Sequence, residues 1–92
     1  MGPKVSEKGE AMFLHIGNGV SLRKKEIVMI VDIDNEETAL EMNEYIRSMQ
    51  KKNKVRTVGT ELPKSLIITE KGGEQLCHVS PISVQTLKQR NA

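Results

Sequence analysis

Two aromatic rings, Phe13 and Tyr45, are all that these 92 residues contain, and there is no tryptophan. Any core must therefore be assembled from aliphatic and methionine side chains, and with 37% of residues apolar it must be small. Burial returns about 25 cal/mol per Å² of apolar surface, against roughly 1.5 kcal/mol of ordering entropy per residue, so a chain this short is marginal as a lone copy. Association of several copies is the natural remedy, because no other brace is visible. The single cysteine, Cys77, has no internal partner for a disulfide, which fits a reducing cytoplasm rather than a disulfide-braced secreted scaffold. No apolar stretch approaches the roughly 20 residues that cross a bilayer, and the chain does not open with a basic-then-apolar leader. A soluble, cytoplasmic protein without membrane contact is expected.

The first eleven residues, MGPKVSEKGEA, are polar, contain Gly and Pro, and precede an internal Met12 where the apolar pattern begins. They read as a tag remnant or disordered tail, which leaves 12–92 as one domain. From Phe13 the run FLHIG predicts a strand that reverses at Gly17-Asn18-Gly19, where glycine tolerates positive φ. Val20 to Leu22 predicts a short strand ahead of the basic cluster Arg23-Lys24-Lys25. The most apolar, β-branched run, Ile27 to Ile33, is expected to be the central strand.

Asp34 or Asn35 caps a helix whose acidic residues, Glu36, Glu37 and Glu41, stand near its positive end, with Arg47, Lys51 and Lys52 near its negative end. Ala39, Met42, Ile46 and Met49 recur on one stripe flanked by Leu40 and Tyr45, so the helix should lie on a sheet. Beyond it come Val55 to Val58, a second β-branched run SLIIT at 65–69, a turn at Gly72-Gly73 and a return strand EQLCHV. Ser80 as N-cap and Pro81 at the first helical position predict a closing helix held by Ile82, Leu87 and Val84. The fold class is α+β, a small antiparallel sheet packed against one central helix with a short C-terminal helix.

The net charge is only +2, so the distribution of charge says more than its sum. Between Tyr45 and Arg56 the residues Arg47, Lys51, Lys52, Lys54 and Arg56 occur without one acid, a patch suited to phosphates or simply a solvated helix end that complements the dipole. Arg23 to Lys25 form a second cluster, and Lys88 with Arg90 a third.

Other motifs have plainer readings. Gly17-Asn18-Gly19 precedes no helix and lacks a third glycine, so it is a turn rather than a phosphate cradle. Gly72-Gly73 reads the same way. His15, His78 and Cys77 match no zinc spacing, and the adjacent Cys77 and His78 point to opposite faces of a strand, Cys77 inward and His78 outward, so no metal is assigned. Asp32 and Asp34 share one face at a strand end but are explained by turn and cap formation, and Ser65, Ser80 and Ser83 have no His-plus-acid setting. With no catalytic constellation, no cofactor motif and no small-molecule substrate indicated, the chain does not read as an enzyme. Met29 reads as core, and Met42 and Met49 as core or subunit interface.

FLHIG at 13–17, the strand from Ile27 to Asp32, PKSLIIT at 63–69 and SPISVQTLKQR at 80–90 occur together in order. This pattern resembles the bacterial extracellular matrix regulatory proteins, the Rem family, and looks closest to its B branch. The resemblance spans Met12 to about Arg90, with PKSLIIT and SPISVQTLK its specific parts. It implies a cytoplasmic protein of biofilm- or spore-forming bacteria linked to transcription of matrix genes. The A branch forms ring-shaped homo-oligomers whose basic rim holds double-stranded DNA by its backbone, on a monomer similar to a LytTR-type fold. Such binding rests on phosphate contacts and DNA curvature rather than on base reading.

The arginines that carry DNA contact in the A branch correspond here to Glu26 and, with a one-residue insertion, Thr60-Glu61. Those roles are not carried over; neighbouring cations, Arg23, Lys24, Lys25, Arg56 and Lys64, would have to supply the charge. The expected function is an oligomeric regulator contacting DNA through the clusters at 23–25 and 47–56. The alternative is an oligomeric adaptor that binds another protein through a sheet edge or the Met-lined helix face, without DNA affinity.

Overall fold

Leu14 and Ile16 are fully buried while Phe13 before them and His15 between them are exposed, the two-residue alternation of a strand with one wet face. This strand, β1 (Phe13–Gly17), pairs antiparallel with β2 (Val20–Arg23), Phe13 opposite Arg23 and His15 opposite Ser21. The turn between them requires positive φ at Gly17 (108°), Asn18 and Gly19. A side chain at Gly17 would also meet the Ile82 Cδ1 at 3.3 Å. The description comes from a computed structural model and covers residues 12–91; the segment read as a tag remnant or tail lies outside the described residues.

A single 3-10 turn, Lys24–Glu26, leads into β3 (Ile27–Asp32), and the helix α1 (Glu36–Lys51) follows. Asn35 is the cap: its Oδ1 accepts from the Thr38 N–H at 3.1 Å, with Glu36 and Glu37 in the first turn. Then come β4 (Val55–Thr57), β5 (Ser65–Lys71), β6 (Glu74–Ser80) and α2 (Val84–Asn91). The second sheet has the order β3-β5-β6-β4. Strand parity divides its residues between two cores. Leu66, Ile68, Cys77 and Val79 pack under α1 with Met49, joined by the half-buried Met42, Tyr45 and Ile46. On the opposite face Ile67 packs with Leu14, Ile16, Val58 and Leu87, so the hairpin and α2 cover that side.

The α+β class holds, with α1 as the central helix and α2 as the short closing one, but several expectations are corrected. Ile27 to Ile33 is not central: among the described residues β3 is an edge strand, and the centre belongs to β5 and β6. Apolar content alone misleads here, because a central strand needs both faces covered and both edges paired. SLIIT of β5 meets that condition, with Ser65 to Thr69 all buried, whereas Val28 and Met29 of β3 are 55% and 50% exposed. Met29 is therefore not core; Met49 is, and Met42 is half-buried against it. The sheet is also not wholly antiparallel. β3, α1 and β4 form a crossover that returns β4 parallel to β6, while the β5-β6 hairpin inserts between β3 and β4.

Ser80 does not cap α2. Ser83 does, its Oγ accepting from the Thr86 N–H at 3.2 Å, and Pro81 precedes the helix. Ser80 is buried instead; its hydroxyl donates to the Ile16 carbonyl at 2.7 Å and accepts from the Ile82 N–H at 3.0 Å. His78 does not face solvent either, because the hairpin covers the face onto which parity turns it.

Candidate nucleic-acid interface

The nine cations singled out in the sequence do not converge on one face. Arg23 ends β2 on the outer face of the hairpin, opposite the exposed ring of Phe13. Lys24, half-buried, and Lys25, exposed, continue from it into β3, and the Lys24 N–H donates to the Met12 carbonyl at 2.8 Å. Arg47 and Lys51 lie on the outer face of α1 around a shallow depression shared with Glu44 and Ser48, and Lys52 is the C-cap residue. Lys54 is half-buried, and its ammonium sits 3.6 Å from the Glu74 carboxylate, which commits part of its charge.

Arg56 alternates with Val55 along β4, and since Val55 packs under α1, Arg56 projects to the hairpin side. Its Nη1 donates to the Asn53 carbonyl at 2.9 Å and, more weakly, to the Val55 carbonyl at 3.4 Å. Lys64 is exposed ahead of β5, its carbonyl accepting from the N–H groups of Ile33 and Asp34 at 3.2 Å each. Arg90, from the third cluster, reaches back to β1, where its Nη1 donates to the His15 carbonyl at 3.0 Å.

Distance separates these groups further. Arg23 to Lys25 introduce β3 and Arg56 lies on β4, and these are opposite edges of the sheet. Three strand spacings between them amount to about 14 Å. Arg47, Lys51 and Lys52 occupy the helix layer on the far face. The chain thus presents several small cationic surfaces.

Acids stand where the resemblance would have arginine. Glu26 lines a hollow of about 320 Å³ between the hairpin and the sheet, with Leu22, Thr69, Lys71, Glu74, Leu76 and His78. Glu61 lies over Gly59, whose φ is +73°; a Cβ there would come within 2.7 Å of the carboxylate Oε1. Neither position can offer phosphate a positive charge.

The buried polar groups are matched locally. His78 Nε2 and Thr69 Oγ1 share a hydrogen bond of 3.0 Å, and burial, reinforced by Arg56, pushes the imidazole below its ordinary pKa. The Tyr45 hydroxyl donates to Gln75 Oε1 at 3.0 Å; burial, with Cys77 beside it, pushes the phenol up to about 12. Burial likewise raises the Cys77 thiol. Ser65 donates to the Ile82 carbonyl at 2.7 Å, and Ser83 to Thr86 Oγ1 at 3.0 Å. Asp32 Oδ1 accepts from the Asp34 N–H at 3.0 Å, the turn reading of that pair. Among the described residues, no group of three or more His, Cys, Asp or Glu is placed to hold a metal, and no helix is long and apolar enough to cross a membrane.

The fold and its charges define a small mixed α+β domain with cations on several separate surfaces. A family model, RemA-like, described as extracellular matrix regulatory protein A-like, matches residues 13–90, and the chain belongs to that family. No curated protein matches the chain.

Proposed function

We propose that this chain is an oligomeric regulator of extracellular-matrix gene expression that acts in the cytoplasm and holds double-stranded DNA through its phosphates. Family membership supports the regulatory role. The observation that carries the mode of binding is the dispersal of the cations. Arg23 to Lys25, Arg47 with Lys51 and Lys52, and Arg56 lie on separate surfaces, each too small for tight binding alone. Copies held side by side would repeat each patch along a polyanion, and every neutralised phosphate adds to a salt-dependent affinity.

Fluorescence anisotropy with duplex DNA at low and physiological salt tests this directly. Binding should weaken steeply with salt, and no binding at low salt removes the DNA reading. Reversing Arg47 and Lys51 to Glu should lower affinity and reduce the log–log salt slope by about 0.9 for each phosphate no longer neutralised. An unchanged slope would remove the α1 face from the interface. The second reading, an assembly or adaptor protein without DNA affinity, draws support from the exposed Val28 and Met29 on the sheet edge.

A further inference from the structure

Packing joins cations that are far apart in the sequence. The basic cluster at 23–25 ends the β1-β2 hairpin, and α2, which carries Lys88 and Arg90, lies against β1 through Leu87, buried with Leu14 and Ile16. Neither the hairpin segment, from Met12 to Lys25, nor α2 contains a single Asp or Glu. The next acid along the chain, Glu26, turns with Leu22 into the hollow between the hairpin and the sheet. The two elements thus contribute cations and no acid of their own, unlike β5 and β6, where Lys71 stands opposite Glu74.

The outward face of this layer offers rings as well as charge. Phe13 and His15 of β1 and Ser21 and Arg23 of β2 share the outer side of the hairpin, all exposed, with Phe13 opposite Arg23 and His15 opposite Ser21. The only phenylalanine of the chain is therefore outside its cores, 44% exposed. His15 Nδ1 and Ser21 Oγ share a hydrogen bond of 3.3 Å, which holds the imidazole across the strand pair. Lys25, exposed, borders the same shallow depression as Met12 and Arg23. Because the Lys24 N–H donates to the Met12 carbonyl across the ladder, alternation turns the His15 carbonyl to the other side of β1. Arg90 meets it there at 3.0 Å, one N–H engaged and the side chain exposed. We propose that the outer face of the hairpin, completed by Arg90, binds single-stranded nucleic acid, with phosphates on Arg23, Lys25 and Arg90 and unpaired bases on Phe13 and His15.

Charge selects a polyanion, and the spacing of the rings selects its strandedness. Two residues along β1 separate Phe13 from His15 by about 7 Å, roughly twice the rise of about 3.4 Å between successive nucleotides of a stacked strand. The two rings therefore suit bases drawn out of a stack, one base to each ring, as on the aromatic platforms that hold single strands. A duplex keeps its base faces inside and could use only the cations. Every base has a stacking face, so no sequence preference is implied. The inference goes beyond the duplex reading, since it needs neither a duplex nor association of copies.

Anisotropy titrations of the full chain at low salt test it with three labelled probes of equal length: oligothymidylate, a duplex, and an abasic strand that has phosphates but no bases. Oligothymidylate should bind more tightly than the abasic strand. Phe13→Leu keeps an apolar side chain at an exposed position, so circular dichroism should show an intact fold. Its affinity for oligothymidylate should fall about fivefold or more, while duplex affinity is unchanged. Arg23→Gln should weaken oligothymidylate and the abasic strand alike. With one phenylalanine in the chain, the ring-proton resonances identify themselves and should move upfield as oligothymidylate binds. The stacking face is overturned, and the duplex proposal left standing, if oligothymidylate does not bind, if the abasic strand binds as tightly, or if Phe13→Leu leaves oligothymidylate affinity unchanged or lowers both affinities equally. Binding of oligothymidylate that depends on Phe13, with no binding of the duplex, removes the duplex reading alone.

Discussion

Replacing Ser80 with Ala should cost much more than the loss of a helix cap. Ser80 and Ser65 are register partners at the end of the β5-β6 hairpin, both with no exposed surface. Between them they hold both backbone groups of Ile82: Ser65 donates to its carbonyl and Ser80 accepts from its N–H. Ser80 also donates to the carbonyl of the buried Ile16, which lies at the register shift of β1 and has no ladder partner there. Truncation removes two hydrogen bonds, each worth about 1 kcal/mol net, and strands the Ile16 carbonyl, so a loss of about 2 to 3 kcal/mol is expected.

Ser83→Ala, which removes the actual cap of α2, should cost about 1 kcal/mol. Urea unfolding followed by circular dichroism measures both, and with a slope of about 1 kcal/mol per molar for so small a domain Ser80→Ala should move the midpoint by about 2 M or more. Because the two serines fix one residue, Ser65→Ala combined with Ser80→Ala should be non-additive by about 0.5 kcal/mol or more. If Ser80→Ala costs no more than Ser83→Ala, and hydrogen exchange quickens in α2 but not in β1, Ser80 is a cap after all and the tie to the hairpin is refuted.

Further outcomes can be checked at single residues. With burial lowering the His78 pKa, the native state favours neutral imidazole; the stability this gives is complete above about 6.5 and is lost as pH falls through that value toward the lowered native one. An NMR titration that places His78 at or above 6.5 would contradict the buried placement. Tyr45 is the only tyrosine, so ultraviolet absorbance should show the native phenol ionising near 12 and the urea-unfolded one near its ordinary value of 10.0. The sign is opposite to that of His78: stability from the neutral phenol is intact below 10.0 and is lost as pH rises toward 12. Asn35→Ala should cost about 1 kcal/mol by freeing the Thr38 N–H, and equal stability of the two proteins by urea titration would reject the cap.

Much of the fold was legible because turn chemistry is local. Gly17-Asn18-Gly19 and Gly72-Gly73 announce their hairpins through the backbone they permit, and Asn35 declares a helix start through one oxygen and one N–H three residues on. Ser80 failed as a cap for the same local reason read too far. A serine before a proline satisfies the start signal, but Ser83 satisfies it as well, and only the position of Ile16 decides which hydroxyl is already engaged. The types of the cationic residues were legible and their grouping was not, because grouping depends on which strands become neighbours. Parity alone could have told that Arg56 faces away from the helix once Val55 was assigned to the core. Arg90 is the residue whose placement sequence reasoning missed, since its hydrogen bond to the His15 carbonyl joins the two ends of the described chain and leaves no periodic trace.

The misreading of β3 carries a physical lesson about edges. Ile27 to Ile33 and Ser65 to Thr69 are both β-branched and apolar, and a scale of strand preference ranks the first above the second. Serine and threonine at the ends of the second run mark it as the interior strand, because Ser65 and Thr69 are buried with hydrogen-bond partners on that face, the Ile82 carbonyl from the segment that covers it and the His78 ring from the neighbouring strand β6. A strand that must place polar groups inside has elements there to receive them. A run that carries only apolar side chains between a basic and an acidic end needs no such partners, and among the described residues it lies at the edge of the sheet, with Val28 and Met29 about half exposed.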